Sequence, residues 1–268
     1  MDPPRKARVR ARKRFGQHFL HDPAVIARIV AAIDPRPGQR LIEIGPGVGA
    51  LTLPLLDLAG GLEVVELDRD LIPILIERAR GHGELVVHQA DVLGVDFGAL
   101  AGSGRQLRLC GNLPYNISTP LLFHVLAAAP SLIDMHFMLQ KEVVARMAAV
   151  PDTRAYGRLT VMLAAQCRVE HLFDVGPGAF RPRPRVDSAV VRLVPHRTPP
   201  FALADKARFA EVVARAFGQR RKTLRNALKG VVDASGFAAA GIDAGRRAET
   251  LYPEDFARLA ATPAPARL

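Results

Sequence analysis

The sequence predicts an α/β fold, a mostly parallel seven-stranded sheet with helices on both faces, followed by a smaller all-α domain at the carboxyl end. Three observations lead to this prediction. Short apolar strand patterns alternate with helical patterns from residue 40 to residue 139. Two further strand patterns, 171–175 and 188–195, are expected to add antiparallel strands at the sheet edge. Beyond about residue 196 only helical patterns remain.

The elements follow from their local residues. The first helix is expected after Asp22, which suits the N-cap, with Pro23 at the first helical position. Apolar residues then recur at helical spacing as far as Ile33. Strands are predicted at 40–44, 62–67, 84–89, 107–110 and 133–139, and helices at 51–59, 70–80, 118–128, 205–217 and 220–231. Gly218 is the expected stop between the last two helices.

The same patterns predict four segments. They are a basic arm at 1–14, an α/β domain at 15–195, a helical domain at 196–260 and a disordered tail at 261–268. The chain contains no run of 18 apolar residues, so we expect no membrane partner. Cys110 and Cys167 lie far apart in apolar runs, which predicts buried thiols, no disulfide, no metal site and a reducing, cytoplasmic location.

Charge favours a polyanionic partner. The 268 residues include 37 Lys and Arg against 26 Asp and Glu, a formal net charge of +11. Many of the basic residues cluster in 5–14 and 220–229, and each cluster could neutralise several phosphates. A solvated basic surface is the alternative interpretation of composition alone.

Three motifs at strand ends predict a nucleoside cofactor. A turn that contains Gly45 and Gly47 follows the first strand of the sheet, Glu66 ends the second, and Asp91 follows the third. Open α/β sheets bind ligands at this edge, and a carboxylate at the second strand can accept hydrogen bonds from ribose hydroxyls. A nicotinamide dinucleotide is the alternative, but it usually requires G-x-G-x-x-G. The spacing here is G-x-G-x-G, and the preceding Glu43 favours a cationic ligand such as S-adenosylmethionine.

A catalytic site is predicted directly after the fourth strand, at Asn112-Leu113-Pro114-Tyr115. An adenine amino nitrogen is a poor nucleophile because its lone pair is delocalised into the ring. The amino group has two N–H donors. The Asn112 side-chain oxygen can accept a hydrogen bond from one, and the Leu113 carbonyl from the other, because Pro114 keeps Leu113 extended. Tyr115 can stack on the base. No strong base is needed, because the attacked nitrogen becomes acidic once methylated, so catalysis is mostly orientation. An Asn-Pro turn with a buried tyrosine is the structural alternative.

A second aromatic wall is predicted at Phe180, because a target base must leave its stack to reach such a pocket. The loop that follows is stiffened by prolines, and its arginines could contact phosphates. These arginines are Arg181, Arg183 and Arg185. A basic connecting loop with no further role is the alternative.

With these residues in view, the chain resembles the ribosomal RNA small-subunit adenine dimethyltransferases. The matching blocks are RFGQHFL (14–20), EIGPGVG (43–49), ELD (66–68), QADVL (89–93), GNLPYNISTPLLFH (111–124), MHFMLQKEVV (135–144), AYGRL (155–159), FRPRPRVDSAVVRL (180–193) and FGQRRKTLRN (217–226). The resemblance implies a Rossmann-like S-adenosylmethionine-dependent methyltransferase fold. It implies methyl transfer to N6 of two adjacent adenosines in the 3′-terminal hairpin of 16S rRNA, within an immature small ribosomal subunit.

The resemblance also implies the roles of individual residues. The cofactor positions are His18, Leu20, Gly45, Glu66, Asp91 and Asn112. His18 stands where many members carry Asn, which leaves its role open. The helical domain would dock RNA through Arg220, Arg221, Lys222 and Arg225, and Leu224 and Leu228 would pack inward. We expect a monomer.

Three other functions stay open at this point. A large-subunit rRNA adenine methyltransferase shares the cofactor and catalytic motifs, but the QRRKTLRN block and the GNLPYNISTPLLFH stretch argue against it. A non-catalytic RNA-binding assembly factor on the same fold is argued against by the intact Asn112 and Tyr115. A DNA adenine methyltransferase is the third.

Overall fold

The central feature of the computed structural model is a seven-stranded sheet; residues 17–102, 106–219 and 221–265 are described. Its strands are β2 (Arg40–Ile44), β3 (Gly61–Glu66), β4 (Glu84–Gln89), β5 (Leu107–Asn112), β6 (Leu132–Gln140), β7 (Cys167–Val175) and β9 (Ser188–Pro195). Their order is β4-β3-β2-β5-β6-β9-β7. The strands from β4 to β6 in this order pair in parallel. The predicted mostly parallel sheet is therefore confirmed.

A separate pair of two-residue strands, not foreseen from the sequence, lies beside the sheet. β1 (Phe19–Leu20) pairs antiparallel with β8 (Phe180–Arg181), and Leu20 stands opposite Phe180 in the register. The pairing joins segments about 160 residues apart. The pairing holds the segment before the first helix against the loop that follows β7.

Five helices lie close to their predicted spans, and five more in the described residues were not predicted. The described helices are α1 (Pro23–Ile33), α2 (Thr52–Ala59), α3 (Ile72–Ala79), α4 (Phe97–Ala101), α5 (Ser118–Ala127), α6 (Lys141–Met147), α7 (Arg158–Ala164), α8 (Lys206–Gly218), α9 (Leu224–Ala227), α10 (Ala234–Ala240) and α11 (Pro253–Ala260). Asp22 caps α1 as predicted, since its side chain accepts from the backbone N–H groups of Ala24 and Val25. α8 ends at Gly218, as predicted.

The helix predicted over 220–231 is wrong in length, because within the described residues 221–231 only the four residues of α9 are helical. The backbone N–H groups of Leu224 and Arg225 donate to the carbonyls of Arg246 and Ala244, so a tertiary contact takes the place of a preceding helical turn. α9 ends at Ala227, and the N–H of the following Leu228 donates to the Leu224 carbonyl. Leu224 and Leu228 are fully buried, as the pattern predicts.

The chain divides into two compact units. Among the described residues, one unit contains those up to 141 together with 171–192, and the other contains 142–170 together with those from 193 onward. Residues 142–170, which the sequence pattern places in the α/β domain, thus group with the helical carboxyl-terminal part. The described segment 261–265, inside the predicted disordered tail, includes Thr262, which is 9% exposed and donates its hydroxyl to the Leu259 carbonyl.

Each unit has its own apolar core. In the first unit, α1, α2 and the sheet bury residues such as Ile33, Leu55 and Val64. In the second, Phe209 and Phe256 pack with Tyr156, whose hydroxyl donates to the Leu251 carbonyl at 2.7 Å. The two cysteines are buried free thiols, as predicted.

A buried ion cluster reinforces the first unit. Arg108 donates to Asp134 through two nitrogens, at 2.7 and 3.1 Å, and Arg192 approaches the same carboxylate at 3.0 Å. Burial alone would raise the pKa of Asp134, but the Arg108 hydrogen bonds and the nearby positive charges hold it below its ordinary value. The carboxylate therefore stays ionised in the folded protein.

Across the described ranges no helix is long and apolar enough to cross a membrane. The same residues contain no group of three or more His, Cys, Asp or Glu side chains placed to hold a metal ion.

Candidate cofactor and catalytic pocket

A pocket of about 270 Å³ opens at the carboxyl ends of β2, β3, β4 and β5. The sequence-predicted residues that line it are His18, Leu20, Gly45, Gly47, Glu66, Asp91, Asn112, Leu113, Pro114 and Tyr115. Strand ends that are distant in sequence meet here because parallel strands deliver their carboxyl ends to one edge of the sheet. The structure thus brings the predicted cofactor and catalytic residues together, Phe180 excepted.

The glycine turn after β2 approaches its neighbours closely. Gly47 has φ +58, and a Cβ added there would lie 3.2 Å from the Phe19 ring. Its backbone N–H donates to Glu66 Oε2 at 3.1 Å. Glycine suits this position for two reasons. It adopts the left-handed backbone without strain, and its lack of a side chain leaves room for the Phe19 ring.

Glu66 presents a preorganised carboxylate. It is 7% exposed, and Oε1 accepts from the Asp68 backbone N–H at 2.8 Å while Oε2 accepts from Gly47. Burial raises the pKa of Glu66, and these hydrogen bonds partly oppose the rise. Each carboxylate oxygen has a second lone pair, so Glu66 can still accept hydrogen bonds from a ligand's hydroxyl groups.

Glu43 lies deeper, at the end of β2, and is 2% exposed. Its Oε2 accepts a 2.6 Å hydrogen bond from the Thr52 hydroxyl at the start of α2. Burial raises the pKa of Glu43 to about 7, against the lowering effect of the Thr52 bond. A cationic group bound nearby would favour the ionised form of this carboxyl.

Asn112 is oriented by a contact the sequence does not reveal. Its Nδ2 donates to the His18 backbone carbonyl at 3.0 Å, so its Oδ1 is left as an acceptor. The following turn is fixed on both sides, because the Leu113 N–H donates to the Met138 carbonyl and the Ser118 hydroxyl donates to the Pro114 carbonyl.

Tyr115 is held at two points. Its ring stacks on His18, with centroids 5.4 Å apart and an interplanar angle of 28°. Its hydroxyl is 2.6 Å from the hydroxyl of Ser188, a fully buried residue on β9. Burial raises the pKa of Tyr115, and the Ser188 hydrogen bond opposes part of the rise. The phenol therefore stays protonated at neutral pH.

Phe180 is placed differently from the prediction. Its side chain is 2% exposed and packs in the core of the first unit with Leu20 and Val190. The pairing of β8 with β1 turns it inward, and it is not among the residues that line the pocket. Phe180 therefore belongs to the apolar core that also contains Leu20, a pocket-lining residue, and its buried ring is not exposed for stacking on a base.

The basic residues predicted to meet RNA lie at the surface wherever they are described. The exposed arginines and lysine are Arg181, Arg183, Arg185, Arg221, Lys222 and Arg225. Arg220 and the basic arm at 1–14 lie outside the described residues.

The chemistry of the pocket lining fits S-adenosylmethionine. Three carboxylates, Glu43, Glu66 and Asp91, line it, and the described lining residues include no Lys or Arg. A cationic cofactor is favoured by such a site, whereas the pyrophosphate of a nicotinamide dinucleotide would find three carboxyl groups and no Lys or Arg among the described lining residues. Glu66 suits the ribose hydroxyls, and Glu43 suits a positively charged end. The sheet order and this pocket define a Rossmann-like methyltransferase that uses S-adenosylmethionine.

Comparison with known proteins gives the family. The family described as ribosomal RNA adenine dimethylase matches residues 8–264, and the chain belongs to it, which confirms the resemblance seen in the sequence. A ribosomal RNA small subunit methyltransferase A from Chromohalobacter salexigens is 58% identical over 254 residues, which cover 93% of this chain and 90% of that protein.

Two solved structures share the fold. A dimethyladenosine transferase from Plasmodium falciparum superposes with a TM-score of 0.74 at 24% identity, over 90% of this chain and 96% of its own. The 23S rRNA methyltransferase ErmE superposes with a TM-score of 0.69 at 28% identity, over 90% of this chain and 98% of its own.

Proposed function

We propose that this protein transfers methyl groups from S-adenosylmethionine to N6 of two adjacent adenosines in the 3′-terminal hairpin of 16S rRNA, giving N6,N6-dimethyladenosine during small-subunit biogenesis. The observation that carries the proposal is the oriented Asn112 side chain, which lines a pocket with three carboxyl groups. The chain is 58% identical to a small subunit methyltransferase and 28% identical to the 23S rRNA methyltransferase ErmE, which supports the small-subunit substrate over the large-subunit alternative.

The cofactor is proposed to bind along the strand ends, with Gly45, Gly47, Glu66 and Asp91 around its nucleoside and Glu43 toward its cationic end. When bound, it supplies a methyl group activated by a sulfonium. His18 and Leu20 would border the same pocket from the amino-terminal side.

The protein's own groups then orient the attacking nitrogen. Asn112 Oδ1 accepts one N–H of the adenine amino group and the Leu113 carbonyl accepts the other. Two acceptors draw the nitrogen toward tetrahedral geometry and aim its lone pair into the pocket. Pro114 keeps Leu113 extended, and Tyr115 stacks on the base. Positioning of this kind contributes a large share of the rate.

No side chain is required as a strong base, because the amino nitrogen becomes acidic once it carries the added methyl group. The raised pKa of Tyr115 agrees with this scheme, since a protonated phenol does not remove the proton. The proton passes to an amide or carbonyl acceptor and on to solvent.

RNA contact is assigned to the exposed basic residues. Arg181, Arg183 and Arg185 flank the loop after β8, and Arg221, Lys222 and Arg225 surround α9; Arg220 is assigned by sequence alone. Contacts between these side chains and RNA phosphates would position the RNA without reading its bases. They would also make the binding affinity depend on salt concentration. The partner is proposed to be 16S rRNA within an immature small subunit, bound by a monomer in the cytoplasm.

The test is labelled methyl transfer to undermethylated small subunits, with mass spectrometry of the 16S 3′ fragment. Wild type should give dimethylated adenosines there, and Asn112→Ala should lose most of the rate. Gln106→Ala, which removes an exposed amide outside the pocket, is the control and should keep wild-type activity. Methylation of the large subunit or of DNA instead, or binding without any transfer, would overturn the proposal.

A further inference from the structure

Tyr115 is anchored through its hydroxyl by a residue outside the catalytic turn. Ser188 lies 73 positions away, at the start of β9, and its side chain is fully buried. Its Oγ is 2.6 Å from the Tyr115 hydroxyl, and either oxygen can be the donor. A polar side chain at a fully buried position is costly unless it is hydrogen-bonded, so this contact accounts for a serine beside the buried apolar residues Ala189, Val190 and Val191.

The second anchor is His18. Its Nδ1 lies 2.7 Å from the Pro182 carbonyl, and since a carbonyl only accepts, Nδ1 carries the hydrogen. The imidazole is thereby fixed in orientation, and its face stacks on Tyr115. One face of the phenol ring is therefore covered by His18, and a base stacks on the other.

We infer that Ser188 is a positioning residue for methyl transfer, which acts by fixing the Tyr115 ring in the plane on which the target base stacks. The effect on methyl transfer rests on the proposed function, whereas the Ser188–Tyr115 contact is independent of it. His18 serves the same ring from its covered face, which gives a role to a position the sequence left open. The hydroxyl of Tyr115 is thus committed to Ser188 and contributes orientation, while the ring contributes the contact with substrate.

The kinetic test is a double-mutant cycle with Ser188→Ala and Tyr115→Phe in single-turnover methyl transfer. Each single variant should lose about tenfold in rate, the equivalent of one buried hydrogen bond. The double variant should be no slower than either single one, because both remove the same contact. The S-adenosylmethionine Kd of Ser188→Ala should change by less than about twofold, since Ser188 is not among the residues that line the pocket. Thr262→Val, which removes a buried hydroxyl in the second unit, should leave the rate unchanged.

A second measurement does not depend on activity. The chain has three tyrosines and no tryptophan, so 3-fluorotyrosine labelling gives three ¹⁹F signals, and Tyr115→Phe assigns one of them. Ser188→Ala should shift or broaden that signal and leave the other two in place, while Thr262→Val should leave it unmoved. A Tyr115 signal indifferent to Ser188→Ala would overturn the inference, as would equal rate losses from Ser188→Ala in the wild-type and Tyr115→Phe backgrounds. If wild type transfers no methyl group yet the signal moves, the proposed function fails and the positioning contact stands.

Discussion

The buried carboxyl of Glu43 makes a pH-dependent prediction about stability. A pKa raised from 4.5 to about 7 by burial means that the folded protein holds this proton more tightly than the unfolded chain. Stability therefore falls as the pH rises from about 4.5 to 7, and the decrease is complete above 7. It amounts to about 3 kcal/mol at pH 8 and less than about 1 kcal/mol at pH 5.

Glu43→Gln removes the ionisation and keeps an oxygen for Thr52. Urea unfolding of the cofactor-free protein should show the variant gaining about 2 to 3 kcal/mol over wild type on going from pH 5 to pH 8. Glu63→Gln is the control of opposite sign. Burial alone would raise the pKa of Glu63, but His88 and Arg40 hold it low, so its charge stabilises the fold at pH 8. Equal effects of Glu43→Gln at both pH values would refute the reasoning.

Three further substitutions have expected outcomes. Asp134→Asn leaves the buried guanidinium of Arg108 without its counter-charge and should cost about 3 to 5 kcal/mol in urea unfolding. Gly111→Ala should lower the free energy of unfolding by at least about 2 kcal/mol. Gly111 has φ +156, and a Cβ there would lie 2.4 Å from the Ile44 carbonyl oxygen of β2. Replacing Arg221 and Lys222 with Gln should weaken binding to a 16S hairpin RNA and lower the salt slope of log K by about 0.7 to 0.9 for each phosphate that the variant no longer neutralises.

Each of these three has a matched control. Asp174→Asn affects only exposed contacts, with Lys141 and His171, and should barely move the unfolding midpoint. Gly157→Ala adds a Cβ in open space at extended backbone and should be tolerated. Arg80→Gln removes one exposed charge beside α3 and should leave the salt slope unchanged. A control that matched its test variant would contradict the corresponding prediction.

The sheet could be predicted because its strands are short, apolar and well separated. The β2 pattern is a five-residue run stopped by glycine, and the structure has the same bounds, 40–44. The cofactor residues could be predicted for a related reason, since Glu66 and Asp91 follow strand ends and need no knowledge of distant contacts. In each case periodicity and strand order carry the information.

The features that were missed depend on long-range contacts. Asn112 is oriented by a carbonyl 94 residues earlier, and Tyr115 is anchored by a hydroxyl 73 residues later. Phe180 has the residue type of a base-stacking wall, but the β1–β8 pairing buries it. The same holds for α9, where hydrogen bonds to residues 244 and 246 replace the expected helical turn. Local patterns contain no signal for such partners.

The central claim is that Asn112 and Leu113 offer two acceptors beside a bound methyl donor. A crystal structure of the protein with S-adenosylmethionine tests it most directly. The account predicts a methyl group that points at the space between Asn112 Oδ1 and the Leu113 carbonyl, with the donor's ribose on Glu66. A methyl group directed away from that space, or a donor that leaves Glu66 without contact, would contradict it.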